Sequence, residues 1–280
     1  MNKKLLVLDI DGTLTNSKKE ITPATKAAIK EILEEGHLVM LASGRPTPGV
    51  RKYEAELELA KYGGYLLTYN GARITRCSDN KDIFTQSFSK EYVHKLYDYC
   101  CKRKLGIVTY EDFEDTKEPY VICGRTADKY LTWEAEINNL PFVQVDNFKE
   151  RINRDVYKVL MSADPAESEE IENELKELYG SEFHITRSEP FFVEAMSTGV
   201  DKAKAIARVT DILGIKHENV IACGDGFNDT SMVKYAAIGV AMANAQAAVK
   251  KVADFITSSN DEDGIVKVID RFILCPQNVA

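Results

Sequence analysis

The run Leu5-Leu6-Val7-Leu8-Asp9-Ile10-Asp11-Gly12-Thr13-Leu14 narrows the folds open to this chain more than any other stretch. Consecutive aliphatics bounded by Asp and Gly read as a short strand buried on both faces, the kind that lies inside a parallel sheet. Such sheets bind ligands just beyond the carboxyl ends of their strands, which is where Asp9 and Asp11 fall. Two residues apart, the carboxylates point to one side if the strand persists, and they repel by about 4 kcal/mol in an effective dielectric of about 20. A cation between them would offset that. Taken alone, Asp-x-Asp-Gly-Thr also fits a polar turn. It does not fit a calcium loop: counted from Asp9, Glu20 supplies the closing acid, but the sixth position, which needs glycine, is Leu14.

The residues that follow extend the parallel-sheet pattern. Thr22-Pro23 reads as an N-cap with proline at the first helical position, and the helix from Ala24 to Glu35 stops at Gly36. Leu38 to Ala42 is a second aliphatic strand, ended by Ser43-Gly44-Arg45. A right-handed β-α-β crossover makes the two strands parallel and brings Asp9 and Ser43 to the same edge. A third strand is expected at Tyr65 to Tyr69, with Asn70-Gly71 as a tight hairpin turn. Near the C-terminus the pattern returns: a helix from Lys202 to Leu213, a strand over Asn219 to Cys223 running into Gly224-Asp225-Gly226-Phe227-Asn228-Asp229, and another strand over Ile238 to Met242. Between the halves, a helix over Glu91 to Arg103, strands over Gly106 to Tyr110 and Val156 to Met161, and an acidic helix over Pro165 to Tyr179 read as an α+β insertion. The expected organisation is a doubly wound, Rossmann-like α/β core from residues 1–83 and 188–280, interrupted by an α+β cap at 84–187.

The chain has 280 residues, enough for two domains with separate cores. Its formal net charge of -8, with no basic block, argues against nucleic acid or an anionic membrane as partner. The four aliphatics before Asp9 are too few for a signal-peptide core, and no stretch approaches a membrane span, so a cytoplasmic location is expected. The six cysteines include no C-x-x-C pair and are expected as buried, reduced thiols. Neither they nor the four scattered histidines suggest a zinc site.

Asp9-x-Asp11, Ser43, Lys202 and Asp225-x-x-x-Asp229 should therefore gather at one sheet edge. Individually each has an ordinary explanation: Ser43 as a helix N-cap, Lys202 as a solvated helix residue, Gly224-Asp225-Gly226 as a turn. Together, and in this order, Asp9-Ile10-Asp11-Gly12-Thr13-Leu14, Ala42-Ser43-Gly44-Arg45-Pro46, Asn70-Gly71-Ala72, Gly199-Val200-Asp201-Lys202 and Gly224 to Asp229 resemble the haloacid dehalogenase superfamily, in its Cof-like (type IIB) branch of sugar and metabolite phosphatases. The family's inserted cap matches the insertion in place and approximate size.

The resemblance implies a Mg²⁺-dependent phosphatase acting on small phosphorylated metabolites, sugar phosphates foremost. Asp9 would be the nucleophile, forming an aspartyl-phosphate, and Asp11 the acid and base. Ile10, Ser43, Gly44, Lys202 and Asn228 would hold the phosphoryl group. The metal would be held by Asp9, the Asp11 backbone carbonyl and Asp225, with Asp229 acting through water. Asp11 favours phosphate esters over haloacids, because alcohol leaving groups need an acid. A sugar phosphomutase and a non-catalytic phosphometabolite sensor are the alternatives, and monomer and homodimer are both compatible with the sequence. Ala203 and Ala243 stand where the family commonly has glycine. Arg45 fits equally a partner of the phosphate or carboxylates and a surface residue. Substrate choice is expected in the cap, where Tyr110, Glu111, Asp112, Glu114, Trp133 and Glu194 are candidates.

Overall fold

The computed structural model describes residues 3–124 and 127–275. The chain divides into two units: Met1–Gly44, Val50–Ile83 and Asp201–Ala280 form the first, and Arg45–Gly49 with Phe84–Val200 form the second.

In chain order the elements before the insertion are β1 (Leu5–Leu8), α1 (Pro23–Glu34), β2 (Leu38–Ala42), α2 (Thr47–Glu56), α3 (Leu59–Tyr62), β3 (Tyr65–Thr68), β4 (Arg73–Arg76) and β5 (Lys81–Thr85). The insertion contains α4 (Lys90–Arg103), β6 (Gly106–Glu111), β7 (Tyr120–Cys123), α5 (Lys129–Ile137), β8 (Phe142–Gln144), α6 (Phe148–Arg151), β9 (Lys158–Ser162), α7 (Ser168–Tyr179), β10 (His184–Glu189) and β11 (Phe192–Met196). The chain then continues through α8 (Lys202–Leu213), β12 (Val220–Gly224), α9 (Thr230–Tyr235), β13 (Ile238–Ala241), α10 (Ala247–Val252), β14 (Phe255–Ile256) and α11 (Gly264–Ile269).

The first unit is built on one sheet in the order β14-β13-β12-β1-β2-β3-β4-β5. From β14 to β3 the strands are parallel, and β4 returns antiparallel to β3. β1 and β2 bury every residue, as aliphatic runs in the middle of a parallel sheet must. Successive strands move outward from β1 through β2 to β3, and the later ones start again on the other side of β1 with β12. That reversal is a topological switch point, so the segments leaving β1 and β12 splay apart and open a crevice at their carboxyl ends. α1 starts as expected: Thr22 accepts from the Thr25 amide, and Pro23 occupies the first turn.

The second unit is a six-stranded sheet, β10-β11-β9-β6-β7-β8, antiparallel except for β7 with β8. It has the expected α+β character but different limits. The boundary expected at 187/188 cuts through β10 and assigns β11 to the core, whereas β11 pairs with β9 from Phe192 opposite Ser162 to Met196 opposite Lys158. An apolar strand such as Phe-Val-Glu-Ala-Met carries no mark of which sheet it joins; only the pairing decides. The long polar stretch between Tyr110 and Val156 likewise contains β7, α5, β8 and α6, pieces too short for periodicity to reveal. Cys77, Cys100, Cys123 and Cys223 are buried thiols as expected, but Cys101 is half-buried and Cys275 exposed.

Among the described residues no helix is long and apolar enough to cross a membrane.

Candidate active site

β1 does not persist through Asp11. It ends at Leu8, and beyond Asp9 the chain turns, with the amides of Leu14 and Thr15 donating to the carbonyls of Asp9 and Ile10 at 3.1 and 3.0 Å. Thr15 Oγ1 caps the Ile10 carbonyl a second time at 2.9 Å. The same-side arrangement that a persisting strand would give is therefore not formed, and the two carboxylates stand in different surroundings. Asp9 is buried at the foot of the crevice, its amide still paired to the Cys223 carbonyl at 3.1 Å, while the Asp11 side chain is 34% exposed.

Each acid has its own lysine. Lys202 lies at the first turn of α8, whose start is set by Asp201 accepting from the Lys204 amide. Its ammonium is completely buried and donates to Asp9 Oδ1 at 2.8 Å, Asp229 Oδ1 at 2.6 Å and the Ala42 carbonyl at 2.9 Å, using all three protons. The solvated-helix explanation for Lys202 is thereby excluded. Lys19 donates to Asp11 Oδ1 at 2.8 Å.

Asp225 leaves β12 on the other side of the switch point. Thr13 Oγ1 donates to Asp225 Oδ1 at 2.7 Å, tying the loop after β1 to the loop after β12. Gly12, at φ +84°, is required there: a Cβ would stand 2.4 Å from Asp225 Oδ2. Asp229 is fully buried, and its second oxygen accepts from the amides of Asp225 and Gly226 at 3.0 and 2.8 Å. The expected outer metal ligand thus has other partners, Lys202 and the Asp225 loop. Carboxylate oxygens of Asp9, Asp225 and Asp229 all lie within 4.8 Å of one another.

The electrostatics follow from this crowding. Burial pushes the Asp9 carboxyl well above the usual carboxylate range, the Asp229 and Asp225 charges add to that, and Lys202 opposes it. Asp225 is raised to about 6, chiefly by burial and then by Asp229, against the hydrogen bond from Thr13. Lys202 is held protonated by its two carboxylates despite its burial. Three carboxylates against one ammonium leave two negative charges when all are ionised, which a hard dication bound by oxygen would neutralise. The donor set fits Mg²⁺.

Ser43 is buried, and its backbone bridges β3 and the next turn, donating to the Leu67 carbonyl at 2.8 Å and accepting from the Asn70 amide at 3.0 Å. Its N-cap explanation does not hold, since α2 begins only at Thr47. Asn70-Gly71 lies in the loop of the β3-β4 hairpin, in a 3₁₀ turn with Asn70 at φ +57°. Asn70 Oδ1 accepts from Asn228 Nδ2 at 3.0 Å and would be 3.0 Å from a Cβ at Gly44. Gly44, Asn70 and Asn228 are thus brought together beside Asp9, Ser43, Lys202, Asp225 and Asp229. Sequence reasoning missed Lys19 and the role of Thr13, and it missed Phe227, which is 69% exposed between Gly226 and Asn228. A large apolar residue inside a glycine-rich polar loop was the available signal for Phe227.

Within the second unit, Arg45 donates to the Ile137 carbonyl at 2.9 Å, and the Thr47 amide donates to Asp112 at 3.0 Å. Of the cap candidates, Tyr110 bonds Glu134 at 2.6 Å, and Glu194 forms a buried pair with Lys158 at 2.9 Å. Glu111 lies 3.3 Å from Arg151, whereas Glu114 and Trp133 are exposed. Burial raises the Glu134 carboxyl, against Lys158 and Tyr110.

A family model for haloacid dehalogenase-like hydrolases matches residues 6–269. The chain belongs to this family. Its Cof-like, type IIB branch is the one indicated, since the fold is shared with a sugar phosphatase of that subclass, BT4131, at a TM-score of 0.80, 28% identity and coverage of 96% of this chain and 98% of that one. A haloacid dehalogenase-like hydrolase from Bacteroides thetaiotaomicron superimposes with a TM-score of 0.88 and 39% identity, covering 96% and 99% of the two chains. The 5-amino-6-(5-phospho-D-ribitylamino)uracil phosphatase YcsE of Bacillus subtilis is 32% identical over 273 residues, 97% of this chain and 96% of its own. This haloacid dehalogenase-like hydrolase is an enzyme of the phosphatase class.

Proposed function

We propose that the hydrolase is a Mg²⁺-dependent phosphatase of sugar phosphates and related polyol phosphate monoesters, working through an aspartyl-phosphate on Asp9. The observation that carries this is Lys202, wholly buried and bonded to both Asp9 and Asp229 at the sheet's switch point. The buried ammonium opposes the upward push that burial gives the Asp9 carboxyl, and so favours the ionised form that a nucleophile needs. Two relatives support the substrate class, since the sugar phosphatase BT4131 and the ribitylamino-uracil phosphatase YcsE both act on phosphate carried by a hydroxylated carbon chain.

In the first displacement Lys202 fixes Asp9 Oδ1, and the other carboxylate oxygen attacks phosphorus. The bond from phosphorus to the ester oxygen breaks as Asp11 gives that oxygen a proton. In the second, Asp11 takes a proton from water, which attacks phosphorus and releases inorganic phosphate and the Asp9 carboxylate. Half exposed rather than buried, Asp11 can reach both the leaving oxygen and water. The Ile10 and Gly44 backbone, the Ser43 hydroxyl, Asn228 and Lys202 hold the phosphoryl oxygens where charge accumulates. Asp9, the Asp11 backbone carbonyl and Asp225 would hold Mg²⁺, with Asp229 contributing through Lys202 and the loop amides. When bound, the ion supplies charge neutralisation for the phosphoryl oxygens.

Asp11→Asn is expected to reduce kcat for an alkyl phosphate on the order of 10²-fold or more and to spare an aryl phosphate, whose leaving group departs without a proton. Steady-state assays on the two esters check it, and near wild-type alkyl turnover would remove Asp11 from the acid role. The product distinguishes hydrolysis from mutase chemistry: free phosphate rather than an isomeric ester is expected.

Mg²⁺ should also stabilise the fold in a pH-dependent way. Asp225 binds its proton more tightly folded, at about 6, than unfolded, near the usual carboxylate value of about 4. The metal-free protein should therefore lose stability as pH rises from about 4 through about 6. Saturating Mg²⁺ is expected to raise Tm by about 5 °C at pH 7.5 and by less at pH 5, measured by calorimetry. An equal shift at both would contradict the assignment of Asp225.

A further inference from the structure

We propose that Lys19 is a positioning residue that holds the Asp11 carboxylate for its work on the leaving oxygen. This rests on the acid and base role proposed for Asp11. The ammonium of Lys19 stands 2.8 Å from Asp11 Oδ1, with the lysine side chain 55% exposed. Ion pairs so exposed are ordinarily loose and contribute little. The backbone beneath this one distinguishes it.

Lys19 adopts φ +61°, a left-handed conformation that side chains other than glycine avoid and that persists only where surroundings impose it. The imposing contacts are on all sides of the 16–20 loop. Asn16 Oδ1 accepts from the amides of Lys18 and Glu20 at 2.9 and 3.1 Å, while the Asn16 amide and carbonyl pair with the Glu20 carbonyl and Lys19 amide at 2.9 Å each. Ser17 donates through its amide and its hydroxyl to the two oxygens of Asp261 at 2.8 and 2.5 Å. Behind the loop, Asn260 Nδ2 donates to the Thr15 carbonyl at 2.9 Å, and Asn244 Nδ2 to the Gly12 carbonyl at 2.8 Å. The segment from Gly12 to Glu20 is thus fastened to the loops after β13 and β14, and Lys19 is its strained tip over Asp11.

The consequence is a division between the two lysines. Lys202 serves the buried nucleophile, and Lys19 serves the half-exposed acid. Without Lys19, Asp11 loses the charged hydrogen bond that its own loop supplies at Oδ1, and the step most sensitive to its placement is protonation of a poor leaving group. Substrate binding does not depend on that placement.

Lys19→Met and Lys19→Arg test this, with kcat and KM measured separately on a primary sugar phosphate and on 4-nitrophenyl phosphate. In K19M the ratio of sugar phosphate to aryl phosphate kcat is expected to fall about 10-fold, a fraction of the whole acid effect, with KM for both unchanged. K19R should recover most of it. In an Asp11→Asn background, K19M should cost less than a further two-fold on the sugar phosphate, because its route of action is gone. Calorimetric titration of K19M with Mg²⁺ should match wild type. An unchanged ratio, a rise in KM alone, an undiminished effect in the D11N background or weakened Mg²⁺ binding would each overturn the proposal while leaving the phosphatase assignment standing. Turnover retained in Asp9→Asn would overturn that assignment, and this inference with it.

Discussion

Asp9→Asn is expected to abolish Mg²⁺-dependent phosphate release, lowering kcat on the order of 10⁴-fold or more on aryl and alkyl esters alike. The amide can still accept a hydrogen bond from Lys202, but it has no anionic oxygen to attack phosphorus. The same substitution is expected to leave the metal-free protein at least as stable as wild type. Asp9 sits buried beside Asp225 and Asp229, and its carboxyl is pushed upward because its charge is unwelcome there; removing that charge relieves the cluster. Loss of turnover with an unchanged or higher Tm in chelator is the combined result that identifies a nucleophile. Loss of both would mean that Asp9 is structural.

Lys202→Met is expected to be the single change that most destabilises the site. The side chain is wholly buried, and its removal leaves Asp9 and Asp229 without their shared counter-charge. Breaking a buried pair on one side costs about 3–5 kcal/mol, and Met fills the volume of the stem without replacing the charge. kcat should fall by about 10²- to 10³-fold as well, since the phosphoryl group loses its buried cation. Adding Asp229→Asn to Lys202→Met should recover much of the stability and none of the activity. Denaturant unfolding and steady-state kinetics on the two variants separate these effects; recovery of activity in the double variant would mean that Lys202 only offsets Asp229.

Much of this site is legible in the sequence because its parts stand at the ends of strongly apolar strands. Leu5–Leu8 and Leu38–Ala42 are aliphatic enough to be buried on both faces, so the polar residues directly after them must face the crevice. Lys202 is different. Alone it reads as a solvated helix residue, and only its place in an ordered set of motifs marks it. The spatial relation of Asp9 to Asp11 depends on whether the strand persists, which the sequence leaves open; the bonds from Leu14 and Thr15 back to Asp9 and Ile10 turn the chain at once. Periodicity carries no information about a five-residue turn. The limit of the second unit was misplaced for a related reason: Phe192–Met196 is apolar in either sheet, and its partner β9 lies some 30 residues earlier.

By itself the sequence determined the class of fold, the order of its motifs and the chemistry they can perform, since hydrophobic runs and the residues that end them are local properties. The tertiary structure decided which charge serves which. It put Lys202 between Asp9 and Asp229, turned the second Asp229 oxygen onto the amides of the Asp225 loop, and set Lys19 over Asp11. Those pairings join residues up to 193 positions apart. Their energies depend on burial and on distances of a few ångströms, and neither exists until the sheet has brought its strand ends together.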